Sequence, residues 1–283
     1  MNSFSRTNKV DISVCMAVKN CSKYVSNSIS SILKQDINCN CELLVCDDGS
    51  EDNTIQVAID IIQRTKSNIM VSVYSDEESI GCGPRRNCLI SKATGKFIAT
   101  ADGDDIYPIN RVREQYSKCL LNDNIFSISG SGRIIDDFGE NIGDIKREKM
   151  ESLEILESLK NTYENPIVDP CSFFNKEIFV ELGGYSSNAF FKLIPDLDLW
   201  MRFFEFKAHG GFKNKEISVF PDIWVDYRKN PNGNTIKFSR EMMKSHGLRR
   251  KMFIERLANK KSLSEKQNFT CTGRMKLIYE QNK

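Results

Sequence analysis

The sequence predicts an α/β fold: a mostly parallel sheet with helices on both faces. Three observations predict it. Short apolar, β-branched runs alternate with amphipathic segments from residue 11 to residue 105. Such alternation implies right-handed crossovers and a parallel sheet covered on two sides. Two acidic clusters, Asp47-Asp48 and Asp102-Gly103-Asp104-Asp105, fall just past the ends of two of the apolar runs. Open α/β sheets bind ligands at the carboxyl ends of their strands. Finally, 283 residues with 40% apolar and 28% charged content suit a soluble globular chain with a real core.

The elements follow in order. Residues 1–10 are polar and are expected to be loose. Residues 11–18 form a buried strand. Ser22 caps a helix whose apolar positions Tyr24, Val25, Ile29, Ile32 and Leu33 share one face. A second strand, 41–46, runs into Asp47-Asp48-Gly49-Ser50, and an acid-rich helix start at 51–54 follows. A third strand covers 69–74, and a Gly/Pro-punctuated loop at 81–87 leads into a helix through Ala93. The fourth strand, 97–101, ends at the second acidic cluster. Beyond it the pattern predicts a helix from Pro108 to Leu121, a strand at 125–129 and a hairpin turn at 136–140. A helix at 151–160, a short strand at 171–174 and a helix at 176–182 stopped by Gly183-Gly184 come next. A helix follows at 196–204, then two strands at 217–220 and 223–227, and from Lys237 onward the chain is expected to be mainly helical and basic.

Composition excludes several classes. No apolar run reaches the roughly 18–20 residues needed to span a bilayer, and the first residues lack a signal-peptide core. The ten cysteines include no C-x-x-C pair, so reduced thiols in a cytoplasmic protein are expected. The net charge of +2 is uneven: residues 235–283 carry thirteen Lys/Arg and four Glu, which leaves the body acidic.

The chemistry is concentrated at Asp102-Gly103-Asp104-Asp105. Carboxylates this close repel unless a cation sits among them, and a hard divalent metal with oxygen ligands is the simplest candidate. A solvated acidic turn is the bland alternative. Gly103 is expected to let a ligand approach the backbone. An EF-hand loop does not fit, because Tyr107 and Pro108 stand where that loop needs a glycine and further ligands.

Taken together, the motifs resemble the GT-A family 2 glycosyltransferases, inverting enzymes that build bacterial surface polysaccharides and lipopolysaccharides. The resemblance covers residues 11–228 and rests on an ordered set. The set comprises 12–20, Glu42 through Thr54 with Asp47-Asp48-Gly49-Ser50, Gly81 through Arg86-Asn87, and 93–97. It continues with Asp102-Gly103-Asp104-Asp105, Gly183-Gly184-Tyr185, Asp196-Leu197-Asp198-Leu199-Trp200-Met201-Arg202 and Tyr227-Arg228. It implies a GT-A, Rossmann-like sheet with residues 11–105 as the nucleotide-sugar-binding half and 106–234 as the acceptor-binding, catalytic half. Residues 235–283 would be a basic helical extension.

The resemblance also implies roles. Asp104 matches the last Asp of the family's DxD motif and would be the main ligand of Mn2+ or Mg2+, with Asp102 near the ribose and metal. Asp105 is expected to be an acid at the start of the next helix. Asp48 matches the residue that contacts uracil, Asp47 would organise the turn, and capping of the following helix is the alternative for both. Ala17, Lys19 and Asn20 would line the first strand's exit, Lys19 standing where some relatives carry an aromatic residue. Arg86 would pair with diphosphate oxygens or be a surface cation. Asp196 matches the catalytic base. Pro195 replaces the Glu that usually precedes it. Asp198 and Trp200 would support the site or touch the acceptor, Trp200 being more often core. Arg228 is kept, but the His that often follows is absent, and Asn230 or Lys229 would substitute.

The implied partners are a nucleotide-sugar, a UDP-sugar first, and a glycan or lipid-linked acceptor, with single-sugar transfer. Residues 237–257 read either as a basic amphipathic contact on the inner membrane face or as a helix packed on the body. No nucleic-acid reader motif is present. The competing readings are a nucleotidyltransferase, which lacks its phosphate loop here, a glycoside hydrolase, and a non-catalytic sugar-nucleotide-binding scaffold.

Overall fold

The computed structural model describes residues 9–162, 164–231, 233–259, 269–271 and 273–282. Four parallel strands make its centre. They are β1 (Ile12–Val18), β2 (Cys41–Asp48), β3 (Met70–Asp76) and β4 (Phe97–Asp102), in the spatial order β4-β1-β2-β3. The crossovers are α1 (Val25–Leu33), α2 (Thr54–Arg64) and α3 (Cys82–Lys92). Beyond β4 come α4 (Arg111–Leu121), β5 (Ile125–Ile135), β6 (Asn141–Ile145), α5 (Ser152–Asn161), β7 (Phe173–Asn175) and α6 (Lys176–Glu181). Next are α7 (Pro195–Ala208), β8 (Glu216–Arg228), α8 (Asn234–Lys237), α9 (Ser239–Asn259) and β9 (Lys276–Gln281). Short β7 inserts antiparallel between β4 and β5, and β8 runs parallel to β5. The α/β class and the mostly parallel sheet are as the sequence predicts.

Strand alternation divides the core. Ile12, Val14, Met16 and Val18 pack on one face with Val25 and Ile29 of α1, Ala58 of α2 and Val112 of α4. Cys15, Leu44 and Cys46 pack on the other with Leu89 of α3, Phe179 of α6, Trp200 of α7 and Phe253 of α9. Two fully covered faces explain why the strands read as near-continuous apolar runs.

Three expectations are corrected. The two strands predicted at 217–220 and 223–227 are one strand, β8, carrying Pro221. The register with β5 shifts between Ser129 and Ser131, and a β-carbon at Gly130 would lie 2.6 Å from the Asp222 carbonyl oxygen and from the Trp224 ring. The strand therefore bulges at its proline instead of ending. The helix expected from Pro108 begins at Arg111. The basic C-terminal region is not helical throughout: β9 adds antiparallel to the free edge of β3. Residues 1–8 of the expected loose N-terminus lie outside the described residues, while Val10 is buried.

α9 lies against α7 and α5. Arg249 and Phe253 are buried beneath it, while Met243, Leu248, Ile254, Lys244 and Lys251 are exposed on its outer face. No helix among the described residues is long and apolar enough to cross a membrane.

Candidate active site

The acidic clusters meet at the carboxyl ends of the central strands. Ala17 lies level with Cys46 of β2 and Asp102 of β4, which puts the exits of β1, β2 and β4 side by side. The loop after β1 is sewn to the turn after β2. The Asn20 N–H donates to Ser50 Oγ at 2.9 Å, and the Glu51 N–H donates to Asn20 Oδ1 at 2.8 Å. The Cys21 N–H donates to Thr54 Oγ1 at 2.8 Å. Asn20 sits at φ +48°, a left-handed turn that Asn tolerates. Lys19 is exposed at this rim.

Asp47 accepts the Ser50 N–H at 3.0 Å together with the Ser50 hydroxyl, so it organises the turn. Asp48, buried, accepts from the Ile80 N–H, the Gly81 N–H, Ser79 Oγ and Arg85 Nε. Neither carboxylate caps α2. That region uses Asp52, which accepts from the Thr54 N–H at 3.0 Å and the Ser22 N–H at 3.1 Å.

At the second cluster, Gly103 is needed by the protein itself. A β-carbon there would lie 2.7 Å from Val18 Cγ1 and 2.8 Å from Cys21 Sγ. The missing side chain seats the acidic loop on the exit of β1; it does not clear space for a ligand. Asp104 accepts from Asn230 Nδ2 at 3.1 Å, so Asn230 is the residue that reaches this carboxylate. Burial, and then the charge of Asp102, hold the Asp104 carboxyl above the ordinary range. Asp105 is not at a helix start. It is buried, accepts the Arg228 N–H at 2.8 Å, and leaves Oδ2 without a partner. Burial, with Asp104 and Asp102 adding to it, pushes its carboxyl well up.

Arg228 braces the loop rather than facing a ligand. Its Nε donates to the Asp104 carbonyl at 2.8 Å, Nη1 donates to the Asp136 carbonyl, and the guanidinium lies 4.8 Å from the Tyr24 ring centre. The Asp136–Glu140 backbone pair closes the expected hairpin behind it.

These carboxylates fit a divalent metal on their own chemistry. Asp102, Asp104 and Asp105 are crowded within four residues, the Asp104 and Asp105 carboxyls are pushed up, and Asp105 leaves an oxygen unpartnered. No group of three His, Cys, Asp or Glu side chains among the described residues converges on a metal site. Mn2+ and Mg2+ take one or two protein carboxylates and fill the rest of the shell with phosphate oxygens and water, so two carboxylates of this loop are enough for either.

Arg86 is not a surface cation. It is buried and bridges two carboxylates, Asp102 through Nη2 and Asp169 through Nη1 at 2.6 Å. Asp169 was not singled out in the sequence. Its only signal there is an acid before Pro170, and the 3-10 turn of Asp169–Cys171 carries it in. Burial pushes its carboxyl up to about 7 against the pull of Arg86, with Asp196 and Asp102 adding to the rise. The Tyr185 hydroxyl donates to it at 3.3 Å.

Asp196 stands in the first turn of α7, behind Pro195, and accepts from Asn165 Nδ2 at 2.9 Å. Asn165 is a second residue that the sequence reading missed. Burial raises the Asp196 carboxyl, while backbone N–H groups of the helix start and Arg86 lower it. The Arg86–Asp169 pair thus links the β4 carboxylates electrostatically to Asp196.

Two expected contacts lie elsewhere. Asp198 is buried, with Arg202 Nε at 2.8 Å and Arg249 Nε at 2.6 Å occupying both oxygens. Although burial pushes its carboxyl up, the two arginines hold it below the ordinary range. Buried between these two arginines, it anchors α9 to α7 rather than facing a substrate. Trp200 is fully buried, with its ring 6.2 Å from Phe126 and 6.4 Å from Phe174, so it is core and not an acceptor platform.

A mostly parallel sheet flanked by helices, with acidic loops at the carboxyl ends of its strands, is the architecture of the GT-A glycosyltransferases. Residues 13–183 match the sequence model described as "Glycosyl transferase family 2", and the chain belongs to that family. Among curated relatives, the O-antigen biosynthesis glycosyltransferase WbnJ of Escherichia coli is 30% identical over 193 residues, 68% of this chain and 70% of the relative. The Escherichia coli UDP-Glc:alpha-D-GlcNAc-diphosphoundecaprenol beta-1,3-glucosyltransferase WfgD is 38% identical over 125 residues, 44% of this chain and 47% of the relative. Solved structures agree on the fold. S. aureus TarS 1-349 in complex with UDP has a TM-score of 0.62 at 18% identity, covering 88% of this chain and 70% of that one. Mannosyltransferase PcManGT from Pyrobaculum calidifontis, in complex with GDP-Man and Mn2+, has a TM-score of 0.58 at 14% identity, covering 90% and 74%.

Proposed function

We propose that the chain transfers one sugar from a UDP-sugar to a hydroxyl of a glycan or lipid-linked acceptor, inverting the anomeric centre, in surface polysaccharide biosynthesis. One observation carries this reading. The buried Arg86 bonds both Asp102 at the end of β4 and Asp169, and its charge also acts on the helix-start Asp196, which supports a diphosphate-binding pole beside a base. The WfgD and WbnJ relatives support the polysaccharide setting, and the UDP complex of TarS supports the donor class.

In this reading Asp104, with Asp102, holds Mn2+ or Mg2+. Held there, the ion would supply positive charge opposite the departing diphosphate. Asp48 receives the base, and Ala17, Lys19 and Asn20 line its entrance. Asn165 keeps the Asp196 carboxylate aimed. Asp196 takes the acceptor's hydroxyl proton while that oxygen bonds to the anomeric carbon, and the bond to the diphosphate oxygen breaks with its electron pair. Burial matches Asp196 to the task by raising its basicity. The exposed Lys244 and Lys251, beside Met243 and Leu248 on α9, support docking on the anionic inner face of a membrane, where a lipid-linked acceptor would be met.

The test is calorimetry with UDP, GDP, TDP and CDP, each with and without Mn2+, using Asp104→Ala as control, followed by transfer assays. Metal-dependent binding of one nucleotide, lost in the variant, supports the reading. Pro195, in the place of the family's usual Glu, favours one rival, a scaffold that binds the nucleotide-sugar without turnover. Binding without transfer to any glycan acceptor would favour that rival.

A further inference from the structure

A carboxylate offers about four lone-pair positions, and all four of Asp48's are filled from within the chain. Oδ1 accepts from the Ile80 N–H at 3.0 Å and Arg85 Nε at 2.9 Å. Oδ2 accepts from the Gly81 N–H at 2.9 Å and Ser79 Oγ at 2.8 Å. If a nucleobase N–H is to reach this group, one of the four donors must leave.

The four are not equally replaceable. Two are backbone amides in the turn that opens α3, where Gly81 adopts φ +95°. The third belongs to Arg85, which is fully buried and also bonds Asp76 at 2.9 Å and the Glu78 carbonyl at 2.8 Å. Moving it would strand a buried charge, which is costly. Ser79 differs from all three. It is exposed, its hydroxyl swings about a single bond, and water can take over as its partner.

We infer that the Ser79 hydroxyl is a placeholder. It holds Asp48 Oδ2 until a nucleotide binds and yields it to the ring N–H of the incoming base. The inference rests on the nucleotide reading above and deepens it, because it makes Ser79 a specificity-determining residue. Uracil, thymine and guanine carry a ring N–H that can take the vacated position. Cytosine presents an acceptor nitrogen there, which a carboxylate oxygen repels. The wild-type site must break the Ser79 bond to admit a base that has the N–H, whereas a site without the hydroxyl starts with Oδ2 open.

The experiment is calorimetry of the wild-type protein, Ser79→Ala and Ser79→Thr against UDP and CDP at saturating Mn2+. Ser79→Ala is expected to bind UDP roughly three- to tenfold more tightly, the net worth of one such hydrogen bond. Ser79→Thr keeps the hydroxyl and should match the wild type, and CDP affinity should be the same in all three. Unchanged or weaker UDP binding by Ser79→Ala overturns the placeholder, as does an equal gain for CDP. If the wild type binds neither UDP, GDP nor TDP, the nucleotide reading itself fails and takes the inference with it. UDP binding by the wild type with no gain in Ser79→Ala removes the inference alone.

Discussion

Gly83 and Pro195 touch across the site: a β-carbon on the glycine would lie 2.9 Å from that of the proline and 3.2 Å from that of Tyr185. The contact joins the first turn of α3, which carries Arg86, to the first turn of α7, which carries Asp196. Asn87 adds a two-way clamp on Tyr185, donating to its carbonyl at 2.8 Å and accepting its N–H at 2.9 Å. Pro195 thereby provides a rigid face for Gly83 to pack on.

Gly83→Ala should therefore separate the two turns by a few tenths of an ångström. Overpacking of this kind costs about 1–3 kcal/mol, partly offset by alanine's better helix propensity of about 1 kcal/mol. Transfer is expected to fall at least about tenfold, since small misplacements of a base are expensive, and UDP affinity is expected to weaken as well, because Gly81 and Arg85 of the same turn hold Asp48. Steady-state kinetics and calorimetry on the same preparation check this. Unchanged turnover would show that the α3–α7 contact does not set the geometry.

Asp104→Asn should lose metal-dependent nucleotide binding yet not lose stability. The native state holds the Asp104 proton more tightly than the unfolded chain does. Its contribution favours folding below the unfolded carboxyl value near 3.9 and is lost as pH rises through the higher folded value. At pH 7 the charge opposes the fold, and a neutral amide removes that cost. Thermal melts without metal should give an equal or higher Tm for the variant, and a clear drop would contradict the assignment.

The acid limb of the transfer rate should report Asp196. Its carboxyl is raised by burial, so activity should fall with decreasing pH at an inflection above the ordinary aspartate value of about 3.9. Asp196→Asn should lower kcat by about 10²–10⁴-fold and abolish that limb. Asn165→Ala, which removes the hydrogen bond to the carboxylate, should move the inflection upward.

Arg249→Met should unfold more readily by about 3–5 kcal/mol, because Asp198 and Glu205 lose a fully buried partner. Urea denaturation measures the loss. A change below about 1 kcal/mol would mean that α9 is held to α7 by its apolar contacts alone.

The central sheet was legible because its strands are buried on both faces, which leaves an unmistakable apolar run in each. The positions of the acidic loop after β4 and of Asp196 at the start of α7 were legible because charged residues at strand ends and helix starts stand out against such runs. Asp169 and Asn165 were not, since each lies in irregular chain and acquires its role only through Arg86 and Asp196, which are distant in sequence. Arg85 and Arg86 are adjacent and chemically identical on paper. Only the helix phase sends one to Asp48 and the other to Asp102. β9 was missed because Lys276-Leu277-Ile278-Tyr279-Glu280 is a mostly exposed edge strand, with neither buried-run nor helical periodicity. Asp198 was misplaced because, two residues past Asp196, it faces the opposite side of α7, and Trp200 because, one turn further along from Asp196, it packs into the core against Phe126 and Phe174.

The pairing of β9 with β3 also bears on how the chain is made. Roughly 200 residues separate the two strands, so at ribosomal speeds of about 5–20 residues per second β3 waits on the order of 10–40 s for its partner. Throughout that interval the nascent parallel sheet presents an open, β-branched edge of the kind that recruits other chains. Yield of native protein should therefore depend on chaperone supply and on synthesis rate more than the stability of the finished sheet would suggest.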